Sequence, residues 1–282
     1  LHTALWIGVN NDSRRATDRL GNLLKYTPNQ ALHYQHFTLG HYYIAIQRDD
    51  ARQAVYHFRE ALRHTPPTDI EPIARYKTYL GNALIALGID YEDSGQSQRA
   101  IEAYQEAIQL SNSAEAYYNL AILYDEGGQR ERAIEAYRQT LQIRPNYPEA
   151  HYNLGIIYQQ QGQILQAVEA YQKAIDLRPN FPEAYRNLAI AHSDRRQYQQ
   201  AIEVLREAIR RTPDDFSLHH NLGSSYLSLG KRDSARAAFR RGVDLGSDNA
   251  ITYLALGSLL REEELLSEAR QVYKMIIEIN PR

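Results

Sequence analysis

Ten histidines and 34 carboxylates are the residues in this chain best equipped for chemistry, and their spacing decides whether they can do it. His33 and His36 lie three apart, so they would share a helix face, with His41 near. Paired imidazoles of this kind can ligate a metal, but no third ligand follows at a firm spacing, and no metal is assigned. Asp90, Glu92 and Asp93 do not follow the calcium-loop spacing and read as a solvated helix end, as do Glu262, Glu263 and Glu264. The chain has no cysteine, which excludes disulfides and thiol chemistry. It has no phosphate loop, no G-x-S-x-G and no H-E-x-x-H. No constellation for catalysis and no cofactor site emerges. Four amides stand out instead: Asn119, Asn153, Asn187 and Asn221, at intervals of 34 residues. A primary amide both donates and accepts hydrogen bonds, so a row of them can pair with a peptide backbone whatever its side chains.

A fixed 34-residue interval needs a repeating element to carry it. Residues 148–181 show that element most clearly. Leu154 and Tyr158 lie four apart on one predicted helix; Ala167, Tyr171 and Ala174 mark one face of a second. Pro148 and Glu149 suit a helix start, where a missing N–H is harmless and an acid meets the positive end of the dipole. Gly162 opens the turn and Pro179 closes the second helix. A mid-helix glycine costs about 1 kcal/mol against Ala. Gly155 is therefore expected for its small size, letting the two helices approach. A hairpin of this kind cannot bury its apolar face alone and must stack on neighbours. Leu188, Ala189, His192, Ala201, Leu205 and Pro213 repeat the pattern.

This spacing resembles the tetratricopeptide repeat, W-x2-L-G-x2-Y, then A-x3-F, then P, with His151 in place of the Trp and Tyr171 in place of the Phe. His151, His192 and His219 fall on repeat positions that usually hold aromatics and are expected to be structural. The resemblance implies an all-α solenoid, a right-handed superhelix of helix-turn-helix units, forming a single domain over residues 1–282. The expected repeats are 33–68, 74–113, 114–147, 148–181, 182–215, 216–249 and 250–282, after a partial repeat in 1–32. The partial repeat rests on Ala16, Leu20, Leu23 and Pro28. The connection from Thr65 to Pro72 holds three prolines and is the expected place of irregular stacking. Leu80-Gly81 and Leu87-Gly88 both fit the first-helix pattern seven residues apart, which predicts a first helix two turns longer, reaching about Asp93.

In proteins of this family the first helices line a concave groove. The resemblance therefore places the four amides there, similar to the asparagine ladder in the repeat domain of O-linked N-acetylglucosamine transferases. Asn at this position is also common in the family consensus. Beside the amides stand Tyr118 and Ile122, Tyr152 and Ile156, Arg186 and Ile190, then His220 and Ser224. These either face a ligand or pack between neighbouring repeats. The chaperone-tail clamp of related domains needs Lys and Arg where this chain has Glu183 and Asn187, and only Asn153 matches it.

Charge and hydropathy narrow the partners. A net charge of −2 leaves no basic footprint for nucleic acid. No apolar run is long enough to span a membrane. The chain opens at Leu1 and closes one residue after Pro281, so it is expected to be a fragment of a longer protein. Leu5, Trp6 and Ile7 read as the tail of a preceding helix, or as the border of a membrane anchor. A cytoplasmic setting is favoured. Val272, Met275, Ile276 and Ile279 on the last helix form an apolar edge expected to meet another copy or another segment. Three functions follow: a scaffold holding a protein or peptide segment in the groove, a homo-oligomeric assembly through the terminal edges, or the recruiting domain of an enzyme whose catalytic part lies elsewhere.

Overall fold

A computed structural model describes residues 32–46, 50–246 and 249–279. The expected partial repeat and the Leu5-Trp6-Ile7 segment lie outside the described residues. Among the described residues there are fourteen α-helices and no strand. They pair as seven hairpins: α1 (Leu32–Ile46) with α2 (Ala51–Arg63), α3 (Ile70–Asp93) with α4 (Ser97–Ser111), and α5 (Ala114–Glu126) with α6 (Arg130–Ile143). Then follow α7 (Pro148–Gln160) with α8 (Ile164–Leu177), α9 (Pro182–Asp194) with α10 (Tyr198–Arg211), α11 (Phe216–Ser228) with α12 (Arg232–Asp244), and α13 (Ala250–Glu262) with α14 (Leu266–Ile279). The chain forms two compact units, residues 1–144 and 145–282. No described helix is long and apolar enough to cross a membrane.

The hairpin α7–α8 shows how the sequence builds one unit. Pro148 opens α7 in its first turn, with Glu149 beside it. Gly162 follows the helix with φ +73°, a left-handed conformation that glycine adopts without steric penalty. One and three repeats on, the same turn position is held by Arg196 (φ +57°) and Glu264 (φ +59°). Arg178 leaves α8 in an extended conformation, as the residue before Pro179 must. Tyr171 is fully buried with its ring edge on Gly155: a Cβ at that glycine would stand 2.6 Å from Tyr171 Cε1. The same aromatic-on-glycine contact recurs as Phe58 on Gly40, Tyr104 on Gly88, Phe239 on Gly223 and Tyr273 on Gly257. The glycine is there to admit a ring.

The long helix α3 ends at Asp93, with 24 residues against 13–15 in the other described helices. It begins at Ile70, earlier than the repeat boundary at Ala74, and Pro72 sits in its first turn, where the missing N–H does no harm. The irregular connection is thus confined to 64–69. The acidic end of α3 is not uniformly solvated. Asp93 is exposed, but Glu92 turns inward toward the Tyr104 hydroxyl, and Glu92 Oε1 has no partner at hydrogen-bond geometry. Burial, then the nearby carboxylates of Glu126 and Asp93, push the Glu92 carboxyl up, against a downward pull from Tyr104. A carboxyl raised in the folded state contributes most at acid pH, and that contribution is lost as pH rises through its folded value. Glu92→Gln is therefore expected to melt higher than the parent at neutral pH, with the gap closing as pH falls into the carboxylate range. Melting curves across pH check this; a gap that does not change with pH would count against it.

Candidate functional site

In residues 145–282 the first helices lie side by side: α9 touches both α7 and α11. The pattern residues expected on this face fall into two groups. Tyr152, Arg186 and His220, at 34-residue intervals, reach from one hairpin to the next. Asn187 Nδ2 donates to Tyr152 Oη at 3.2 Å. Arg186 Nη1 donates to Ser217 Oγ at 3.4 Å, and His220 Nδ1 lies 3.1 Å from Thr252 Oγ1. Tyr152 also packs its ring on Phe181 at 4.8 Å and on Tyr171 at 5.9 Å, and burial pushes its phenol up. His220 packs on Phe239 at 5.7 Å, and burial pushes its imidazole down, toward the neutral form. These side chains bridge and pack as much as they face outward. Sequence spacing could have shown this, because an interval equal to the repeat places each residue beside the next repeat.

The second group is half-buried to exposed. Ile190 is 36% exposed, whereas Ile156 is partly buried against the core. Asn153 is half-buried on α7. Asn221 Nδ2 donates to Ser217 O at 2.9 Å, which engages one of its two N–H groups. Between α9 and α11 a cleft of about 120 Å³ is lined by Ile190, Ser193, Asn221, Ser224 and Ser228, among others. Its hydroxyls are turned on their own helices: Ser193 donates to Ala189 O at 2.9 Å, Ser224 to His220 O at 3.1 Å and Ser228 to Ser224 O at 3.0 Å. With the hydroxyl protons engaged, the oxygen lone pairs remain to accept. The cleft is a small acceptor-rich site with one apolar wall. Ser193 and Ser228 did not emerge from the repeat pattern, although the four-residue step from Ser224 to Ser228 marks a shared helix face.

In residues 1–144, Tyr118 packs on Tyr137 at 5.8 Å, Ile122 is half-buried, and Asn119 faces the buried Tyr104 hydroxyl. At the other end of the chain, Val272 is buried in the core, Ile276 packs partly against it, and Met275 is 38% exposed; the Ile279 side chain lies outside the described residues. Among the described side chains of that last hairpin, the most exposed apolar one is Leu266, at 63%. His151 and His219 each donate Nε2–H to a proline carbonyl six residues back, at 3.1 Å to Pro145 O and Pro213 O. They hold the entry to a first helix. A larger depression of about 550 Å³ lies between α8 and α10, with Asp176, Glu203 and Glu207 in its lining. None of the four amides borders it.

Consecutive helical hairpins, most at a 34-residue interval and five of them wedged by an aromatic ring on a glycine, define a tetratricopeptide repeat protein. More narrowly, residues 44–279 match the family described as the cilia and flagella-associated protein 70 C-terminal domain, and the chain belongs to that family. No curated protein matches it in sequence. Among solved structures it is similar to pilF of Pseudomonas aeruginosa, at 20% identity and a TM-score of 0.60, over 71% of this chain and 92% of that one. It is also similar to MamA from Desulfovibrio magneticus RS-1, at 23% identity and a TM-score of 0.52, over 59% of this chain and 94% of that one. A third is YrrB, described as "a TPR protein with an unusual peptide-binding site", at 21% identity and a TM-score of 0.53, over 64% of this chain and 94% of that one. These likenesses concern the fold.

Proposed function

We propose that the chain is a protein-interaction scaffold that holds an extended segment of a partner protein on the first-helix face of residues 148–228. The observation that carries this reading is the cleft between α9 and α11. It offers serine and amide oxygens as acceptors beside the exposed Ile190. An extended peptide supplies what such a cleft lacks: backbone N–H groups in a row and an apolar side chain for Ile190. The larger depression between α8 and α10 is lined by Asp176, Glu203 and the paired Glu207 and Arg211 and by none of the four asparagines, so it is the weaker candidate. The family's description as a domain of a cilia and flagella-associated protein, and the peptide-binding site described for YrrB, are in keeping with this reading.

Selection of peptides from a displayed random library against the chain gives the probe, and fluorescence anisotropy the affinity. Asn187→Ala combined with Asn221→Ala is expected to weaken the selected peptides by about 1–3 kcal/mol, roughly tenfold to a hundredfold. The melting temperature should fall only slightly, since one bond to Tyr152 and one to the helix backbone are lost. Unchanged affinity in the double variant would place the peptide elsewhere and remove the proposal.

A further inference from the structure

Sequence spacing pairs His33 with His36 on α1 and supplies no third ligand; the fold supplies it from α2. His57 and Glu60 on α2, and His64 at its C-cap, stand at i, i+3 and i+7, in line along one side of that helix. That face meets α1 in the first described hairpin. One donor atom each from His36, Glu60 and His64 lies within 4.8 Å of the other two. Glu60 Oε2 and His64 Nε2 are 3.5 Å apart. In a tetrahedral zinc site with bonds of about 2.0–2.1 Å, neighbouring donors stand roughly 3.4 Å apart, so this pair is already at the needed spacing.

We propose that His36, Glu60 and His64 form a binding site for a divalent transition-metal ion, with zinc the first candidate, tying α1 to α2. Two imidazoles and a carboxylate suit zinc and its neighbours, whereas calcium and magnesium require oxygen donors. The surroundings favour ligation. His36 Nδ1 is 2.9 Å from His57 Nδ1. In the tautomer where His36 donates this bond, its Nε2 lone pair is bare, and His57 is the hydrogen-bonding neighbour that commonly stands behind a metal-bound imidazole. Arg63 Nη1 reaches Glu60 Oε1 only at 3.6 Å and is itself largely in solvent, so it is a weak competitor for the carboxylate. A metal here would act as a clasp, because it binds the folded hairpin and not the separated helices.

The test uses the untagged full chain, stripped with a chelator, and zinc chloride as the probe. Calorimetry is expected to show one zinc per chain, and the melting temperature should rise with zinc. His64→Ala and Glu60→Gln, both at partly exposed positions near the end of α2, should melt like the parent without metal and lose the zinc response. His57→Gln should weaken zinc by about 10- to 100-fold while leaving the stoichiometry unchanged. Absence of binding would overturn the proposal. So would zinc binding that is equal in the parent, His64→Ala and Glu60→Gln, which would mean adventitious capture by other histidines.

Discussion

Tyr171→Ala is expected to destabilise residues 145–282 by about 3–5 kcal/mol, the range for removing a fully buried aromatic ring. The ring is 0% exposed and fills the space between α7 and α8. Its edge rests on Gly155, and its hydroxyl donates to Gln159 Oε1 at 2.9 Å. Alanine would leave a cavity that the helices cannot close without losing contact with α9 of the next hairpin. Thermal melting should fall by on the order of 10 °C. Tyr171→Phe separates ring from hydroxyl: it keeps the packing, loses one hydrogen bond, and should cost only about 1 kcal/mol. Hydrogen exchange adds the location. Amide protection in Tyr171→Ala should drop first in α7 and α8 and their stacking partners, since a stacked array transmits damage to nearest neighbours. A melting temperature within a degree or two of the parent would show that the ring is not the wedge described here.

The second large effect comes from the opposite side of the same contact. Gly155→Val should destabilise by about 3 kcal/mol, the upper part of the usual range for overpacking. A Cβ on residue 155 would lie 2.6 Å from Tyr171 Cε1 and 2.7 Å from Cδ1, closer than real contacts allow, and the branches of valine add to the collision. The ring cannot swing away, because Tyr152 lies against it and the site is sealed. Gly155→Ala is the instructive companion. Helix propensity favours Ala over Gly by about 1 kcal/mol, so a peptide-based expectation is stabilisation. The contact with Tyr171 reverses it. Chemical denaturation of both variants measures the difference. A valine variant as stable as the parent would mean that α7 and α8 have room to separate.

Much of the fold could be read from the residues. The interval of 34, the small residue opposite an aromatic, and the proline and glycine stops depend on local sterics, which a sequence displays directly. The long helix α3 was visible in the doubled Leu-Gly pair, because two extra turns return the side chains to nearly the same phase. Its start was not visible: Pro72 reads as a break, yet it is harmless in the first turn of a helix. The site was less legible. Asn187 and Tyr152 lie 35 residues apart, and their bond depends on how one hairpin stacks on the next. His36 and His64 come together only once α1 and α2 fold back on each other. Glu92 reads as a solvated acid, and its inward turn depends on where Tyr104 stands in the following helix. Side-chain direction across a helix pair is a tertiary property, whereas repeat position is a local one.

The length of α3 bears on how such chains tolerate change. Of its two glycines, Gly88 receives the Tyr104 ring, while Gly81 lies against Ser111 at the far end of α4. Seven added residues rotate the helix by only about 20° relative to an unextended one, so the apolar stripe still faces its partner. Five added residues would turn it through roughly 140° and present polar side chains to the core. Insertions within the helices of such an array are thus filtered by angle before they are filtered by size, and the ones that survive extend the rod without redirecting it.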